Sequence, residues 1–261
     1  MIFDLQKASM GKRISAFLFD IILLFTLSVA MVWLISAIGN YDSYSATYNE
    51  KREEYITSFE EKYGIKIDLS DEDYAKLTEE ERASVDAVRK EADEAFGKDE
   101  AAVFSYGMMI NVMMLSVSIG VFLAYFALEF LVPLFFKNGM TLGKKIFGVG
   151  LMANDGVRLT SVALFVRSML GKYAVETMVP LFLLMLMMMG KLGIVGIVVL
   201  VLLIVFEIGL LVFNKTRPMI HDALAMTVAV DFASQMIFDT HEDMIEYKKR
   251  IHQEAVEKSP Y

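Results

Sequence analysis

Residues 12–25 read KRISAFLFDIILLF: two cations, then an apolar run with one carboxylate, Asp20, inside it. Placing an aspartate in hydrocarbon costs roughly 2.5–3.5 kcal/mol on insertion scales, so such a residue needs a partner and usually has a role. The run extends from Ile14 to Gly39. As a helix rising about 1.5 Å per residue it would cover about 39 Å, enough to cross a hydrocarbon core of about 30 Å with some tilt. It is too long for the apolar region of a signal peptide, and no small-x-small cleavage pattern follows it, so it is read as a retained first span.

Composition agrees. Of 261 residues, 56% are hydrophobic, and the mean hydropathy is +0.47, which suits a polytopic membrane protein better than a soluble domain. No cysteine is present, which excludes disulfides and thiolate metal sites. The net charge of −8 is unevenly spread. Residues 41–100 hold 9 Lys/Arg against 19 Asp/Glu, and the rest of the chain holds 16 against 14. An acidic insert therefore interrupts a slightly basic membrane protein, and nothing points to nucleic acid.

Three further apolar stretches follow the insert. Val103 to Phe136 is the second span, with Pro133 bending or ending it. Thr160 to Lys172, with Arg167 and Lys172 among apolar residues, reads as an interfacial amphipathic helix. Tyr173 to Met189 and Leu192 to Phe213 are the third and fourth spans. The fold class expected is an all-α membrane protein with four transmembrane helices. It divides into 1–40 (N-terminus and first span), 41–102 (acidic extracytoplasmic helical insert), 103–136, 137–172 (cytoplasmic turn and interfacial helix), 173–190, 192–214 and a cytoplasmic tail over 215–261. Lys7, Lys12 and Arg13 precede span one, Lys137, Lys144, Lys145 and Arg158 follow span two, and Lys215 and Arg217 follow span four. The positive-inside rule then puts both termini in the cytoplasm and the insert outside.

Within the insert, Ser70 with Asp73 and Thr78 with Glu81 resemble capping boxes, and Tyr55, Phe59 and Tyr63 form a stripe at a spacing of four. The simplest reading is a solvated helical hairpin joining two spans; a cation-gathering or partner-binding cap is the functional alternative. After span two, Gly139-Met-Thr-Leu-Gly143-Lys144-Lys145 fails as a phosphate loop, because its glycines are one residue too close and no Ser/Thr follows Lys144. No nucleotide is expected. The segment from Ile146 to Leu159, turning at Asn154-Asp155-Gly156, reads as a short β-hairpin. His221-Asp222 has too few companions for a binuclear metal centre, and no cofactor is expected.

The strongest constellation is one carboxylate per span: Asp20, Glu129, Glu176 and Glu207. Intramembrane acids face a bundle interior or an aqueous cavity, although Glu129 and Glu176, near span ends, could equally be hydrated. Arg13 lies two turns before Asp20, about 10.5 Å along a helix and within reach through one water. Arg167, Arg217 and Lys144 are alternative partners.

Residues 8–20, ASMGKRISAFLFD, resemble the opening of RDD-family membrane proteins, named for an arginine and an aspartate at the first span and a later aspartate. Arg13 and Asp20 match the first two. Asn138 to Gly148 is similar to the family's GxTxGK turn. Arg217-Pro-Met-Ile-His-Asp222 resembles its closing segment, making Asp222 the third residue, and Arg167 matches a recurrent arginine. The resemblance covers 8–40 and 105–232 and omits the insert. It implies a multipass protein of a bacterial-type plasma membrane, with transport suspected and sodium/proton exchange attributed to some members. On that basis Asp20 is the candidate exchanging carboxylate for Na+ and H+, poised by Arg13, with Asp222 and Arg217 at the cytoplasmic mouth. Four spans are few for a transporter, which points to a homodimer in the bilayer. A non-transporting scaffold or envelope sensor is the alternative, and no nucleophile–base pair marks an enzyme.

Overall fold

The computed structural model describes residues 5–136, 139–213 and 218–258, and it is mostly helical. The chain divides into two compact units, Met1–Ala30 with Val121–Tyr261, and Met31–Gly120. Three helical segments are long and apolar enough to cross a membrane: Met10–Ile38, Glu100–Phe135 and Ser161–Met188. A fourth apolar helix, Ile194–Leu210, is shorter. Ile22, Phe25 and Trp33 on the first segment and Ile194, Val195 and Leu202 on the fourth are more than half exposed. Apolar faces of this extent are stable in lipid and not in water.

The Met31–Gly120 unit holds the end of α1 (Met10–Ile38), then α2 (Tyr41–Tyr63), α3 (Asp71–Lys76), α4 (Glu79–Phe96) and most of α5 (Glu100–Tyr125). Its small core is Ile67, Val88 and Ala92, packed by Ile56, Phe59 and Ile65. Phe59 and Tyr63 of the expected stripe stack on each other. The caps form as read. Thr78 and Glu81 make a full capping box, and Ser70 accepts from the Asp73 amide. A Cβ on Gly120 would lie 2.7 Å from the Val32 backbone nitrogen, so glycine lets two helix backbones touch there.

The other unit is built around two departures from α-geometry. Phe126–Leu131 and Val166–Met178 wind as π-helix, and each leads directly into a helix with a proline in its first turn. Pro133 and Pro180 lack an amide hydrogen, and their rings crowd the carbonyl four residues back. Widening the preceding turns to bonds of the i to i+5 kind relieves that crowding, as in Val132 N–H donating to Ala127 and Val179 N–H to Ala174. The expected interfacial helix and third span are consequently one continuous segment, α8 (Ser161–Phe165), the π-helix and α9 (Val179–Met188), and not two elements meeting near Lys172.

The expected hairpin is also corrected. The turn at Asn154–Gly156 forms, with Gly156 at φ +94°, but β1 (Val149–Ala153) pairs antiparallel with β2 (Thr227–Asp231). Only three residues separate that turn from Thr160, the N-cap of α8, too few to match a five-residue strand. Lys7 bridges to Val230, adding the segment before α1 to the same small sheet. Val149, Leu151, Met152 and Val230 are its fully buried residues. Four elements complete the unit: α6 (Val132–Phe135), α7 (Leu142–Ile146), α10 (Ile194–Phe213) and α11 (Ile220–Leu224), with α12 (His241–Lys258) as an amphipathic tail. The expected Lys137, Lys215 and Arg217 lie outside the described residues.

Gly171 sits where α11 meets the π-helix, and an added Cβ would be 2.6 Å from both Cα and Cβ of His221. Backbone cannot yield there as a side-chain tip could. Gly171→Ala is expected to cost about 1–3 kcal/mol, read as a lower thermal midpoint in detergent. An unchanged midpoint would mean that the two elements are not held this close.

Candidate functional site

Asp20, mid-helix in α1, is buried. Its carboxylate accepts from Thr141 Oγ1 at 2.5 Å and from the Gly143 amide at 2.7 Å. Thr141 is the N-cap of α7, so an anion meets the free amides of a helix start. Of the cations expected as its partner, Arg167 pairs instead with Asp222, and Arg217 lies outside the described residues. A Cβ on Gly143 would collide with the Ala16 carbonyl and lie 2.8 Å from Asp20 Oδ1. The glycine-rich turn is therefore the receptor for the first-span aspartate, and glycine is needed for the approach.

Asp222 is the second anchor. Arg167 Nε donates to its Oδ1 at 3.0 Å, an Nη of the same guanidinium pairs with that oxygen at 2.9 Å, and Thr227 Oγ1 donates at 2.9 Å. Both charged side chains are less than 5% exposed. Burial opposes the Asp222 charge, but Arg167 and then His221 overcome it and hold the carboxyl well below the usual range. His221 Nδ1 lies 2.7 Å from Glu176 Oε2, and the His221 amide donates to Glu176 Oε1. Burial, and then Arg167, keep this imidazole below its ordinary pKa. Lys172 pairs with the buried Glu129. Glu129 and Glu176 are thus members of an internal ion network, Glu129 fully and Glu176 largely buried.

The winding explains why these side chains converge. At about 100° per residue, an α-helix would put Arg167 and Glu176, nine apart, on opposite faces. In a π-helix, residues four and five apart share a face. Arg167, Lys172 and Glu176 have those spacings and turn inward together.

A cavity of about 250 Å³ opens among them. Its charged lining is Arg13, Lys144, Arg167 and Lys172 with Asp20 and Asp222, and His221 completes it. The structure brings together Arg13, Asp20, Lys144, Arg167 and Asp222 as expected, with Glu129 and Glu176 just behind. Glu207 does not line the cavity; one of its carboxylate oxygens is buried without a hydrogen-bond partner among the described residues. Sequence reasoning assigned no site role to Thr141 or Thr227, read Lys172 as an interfacial cation and weighed His221 only as a metal ligand. Thr141 is of the residue type favoured at a helix N-cap, the one signal it carried, and Lys172 falls on the face opposite Arg167 at α-helical period. No group of three or more His, Asp or Glu suited to a metal occurs among the described residues.

Removing one partner of a buried ion pair leaves the other unpaired. Arg167→Met and Asp222→Asn should each cost about 3–5 kcal/mol, and the double variant should cost less than their sum. The measurement is a thermal double-mutant cycle in detergent. Because the Asp222 pKa is lowered, its share of stability is present at neutral pH and is lost as the pH falls below about 4. Asp222→Asn should flatten that acid limb.

Comparison with known proteins finds no matching curated protein and no matching solved structure. The sequence model of the RDD family matches residues 7–226, which include every ionisable residue of the site. This chain belongs to the RDD family.

Proposed function

We propose that this RDD-family membrane protein moves a small ion across a bacterial-type plasma membrane, with proton coupling through Asp20. The observation that carries this reading is the 250 Å³ cavity lined by seven ionisable side chains among apolar helices. Ionisable groups held in such surroundings mark ion and proton pathways. Protonating Asp20 would weaken both hydrogen bonds that dock the turn, so a proton there would loosen α7 against α1.

The small sheet supports a topology for this reading. Lys7 precedes the first span, β1 follows the second and β2 follows α10, and all three pair together. Ser161–Met188 and Ile194–Phe213 must then cross together or not at all. Their apolarity and the flanking cations favour four crossings, both termini cytoplasmic and the acidic residues 41–100 outside. A homodimer would supply the further helices that transport needs. A second reading, a non-transporting scaffold or sensor whose insert binds a partner, draws on the internal satisfaction of Asp20 and Asp222, which suits a structural ion network.

The native chain has no cysteine, so single cysteines report topology cleanly. Ser70→Cys should react with an impermeant thiol reagent in intact cells, and Ser234→Cys should not; the reverse pattern ends this topology. In proteoliposomes under a pH gradient, with Na+, Li+, K+ and phosphate tested in turn, Asp20→Asn should abolish coupled flux while the protein stays folded. Full flux in a stable Asp20→Asn protein would remove Asp20 from the mechanism. No flux from the wild type under any gradient would favour the scaffold.

A further inference from the structure

Four cationic side chains line the cavity against two carboxylates. Both carboxylates are already served. Asp20 has its two donors from the turn, and Asp222 Oδ1 takes hydrogen bonds from Arg167 Nε and Thr227 and is ion-paired with the same guanidinium. Asp222 Oδ2 lies 3.7 Å from His221 Nε2. Lys172 is balanced from behind by Glu129, and His221 by Glu176. Lys144 is different. Its backbone amide caps onto Thr141 Oγ1, while its half-buried ammonium makes no hydrogen bond or ion pair among the described residues. Burial, then Arg167 and Lys172, push its pKa down to about 8 against the weaker pull of Glu129 and Asp20. A cation crowded by cations beside an open cavity lacks its counter-charge.

We propose that this cavity binds a tetrahedral oxyanion of the phosphate class, seated on Lys144 and flanked by Arg13, Arg167 and Lys172. Guanidinium forks and ammonium groups are the donors that recognise such oxyanions. The cavity is below the usual drug-pocket size of about 300–1,000 Å³, which suits a headgroup or free anion. The source is a free phosphate or a phospholipid headgroup; Met10, Ile14 and Phe17 along one wall offer an apolar path for the latter. A Na+ ion would meet four cations and two occupied carboxylates, so the cavity is not a sodium station. The assignment rests on the cavity being the binding station of the proposed transport, but its test is equilibrium binding, which can fail while coupled flux persists.

The full-length protein, stripped of lipid in maltoside detergent, is titrated calorimetrically with inorganic phosphate and, separately, with dihexanoyl phosphatidic acid. Binding of both identifies a free-anion site, and binding of the phosphatidic acid alone identifies a headgroup site. Lys144→Gln should weaken either at least tenfold without lowering the thermal midpoint, since no protein partner is lost; Lys144→Arg should restore it. With sulfate, whose charge is constant, wild-type binding should fall several-fold from pH 7 to 9 as Lys144 discharges among Arg13, Arg167, Lys172, Asp20, Glu129, His221 and Asp222, and Lys144→Arg should hold level. Undiminished binding in a folded Lys144→Gln protein overturns the proposal. So does millimolar silence to both oxyanions in a folded wild type, or a heat of binding for Na+ alone.

Discussion

A guanidinium that is 3% exposed among apolar helices must have a carboxylate, and the Arg167–Asp222 pair is the bond on which the rest of this unit hangs. It ties the third long helical segment to α11, which carries His221 to Glu176 and leads into β2. Thr227, the first residue of β2, closes on the same Asp222 oxygen. The sheet, the short helix and the π-helix therefore share one electrostatic anchor. Breaking a buried pair costs more than forming it gains, so the pair works as a specification of arrangement more than as a store of stability.

Much of the site was legible in the residue order. A carboxylate in each apolar stretch, an arginine two turns before the first, and a glycine-rich turn after the second span pointed to one polar interior, and Asp20, Arg13, Lys144, Arg167 and Asp222 do meet at one cavity. The partner of Asp20 was not legible as a cation, because it is a pair of hydrogen-bond donors at a helix start: Thr141 and a backbone amide that any residue carries. Only the glycine at 143 hinted at the close approach.

The rest was hidden by periodicity. An α-helical wheel puts Arg167 on the face away from Lys172 and Glu176, which is why the segment read as an interfacial amphipathic helix. The π-winding that gathers them leads directly into Pro180, which lies beyond the amphipathic stretch ending at Lys172. Likewise the strand at Val149–Ala153 was recognisable, but its partner was sought across the nearest turn. Strand pairing at long sequence separation leaves no local trace; the short stretch before Thr160 was the one available sign that the neighbouring partner was too short.

That long separation has a consequence for how the protein is made. β1 is complete well before β2 is synthesised, and the two are separated by an entire pair of apolar helices. At a synthesis rate of about 5–20 residues per second, the delay is roughly 4–15 s. For that interval the strand bearing Val149, Leu151 and Met152 stands beside the membrane with an unpaired edge, an open template for another chain. The nascent protein is thus most exposed to mispairing before α10 is in place, and the last strand to emerge is the one that closes the first.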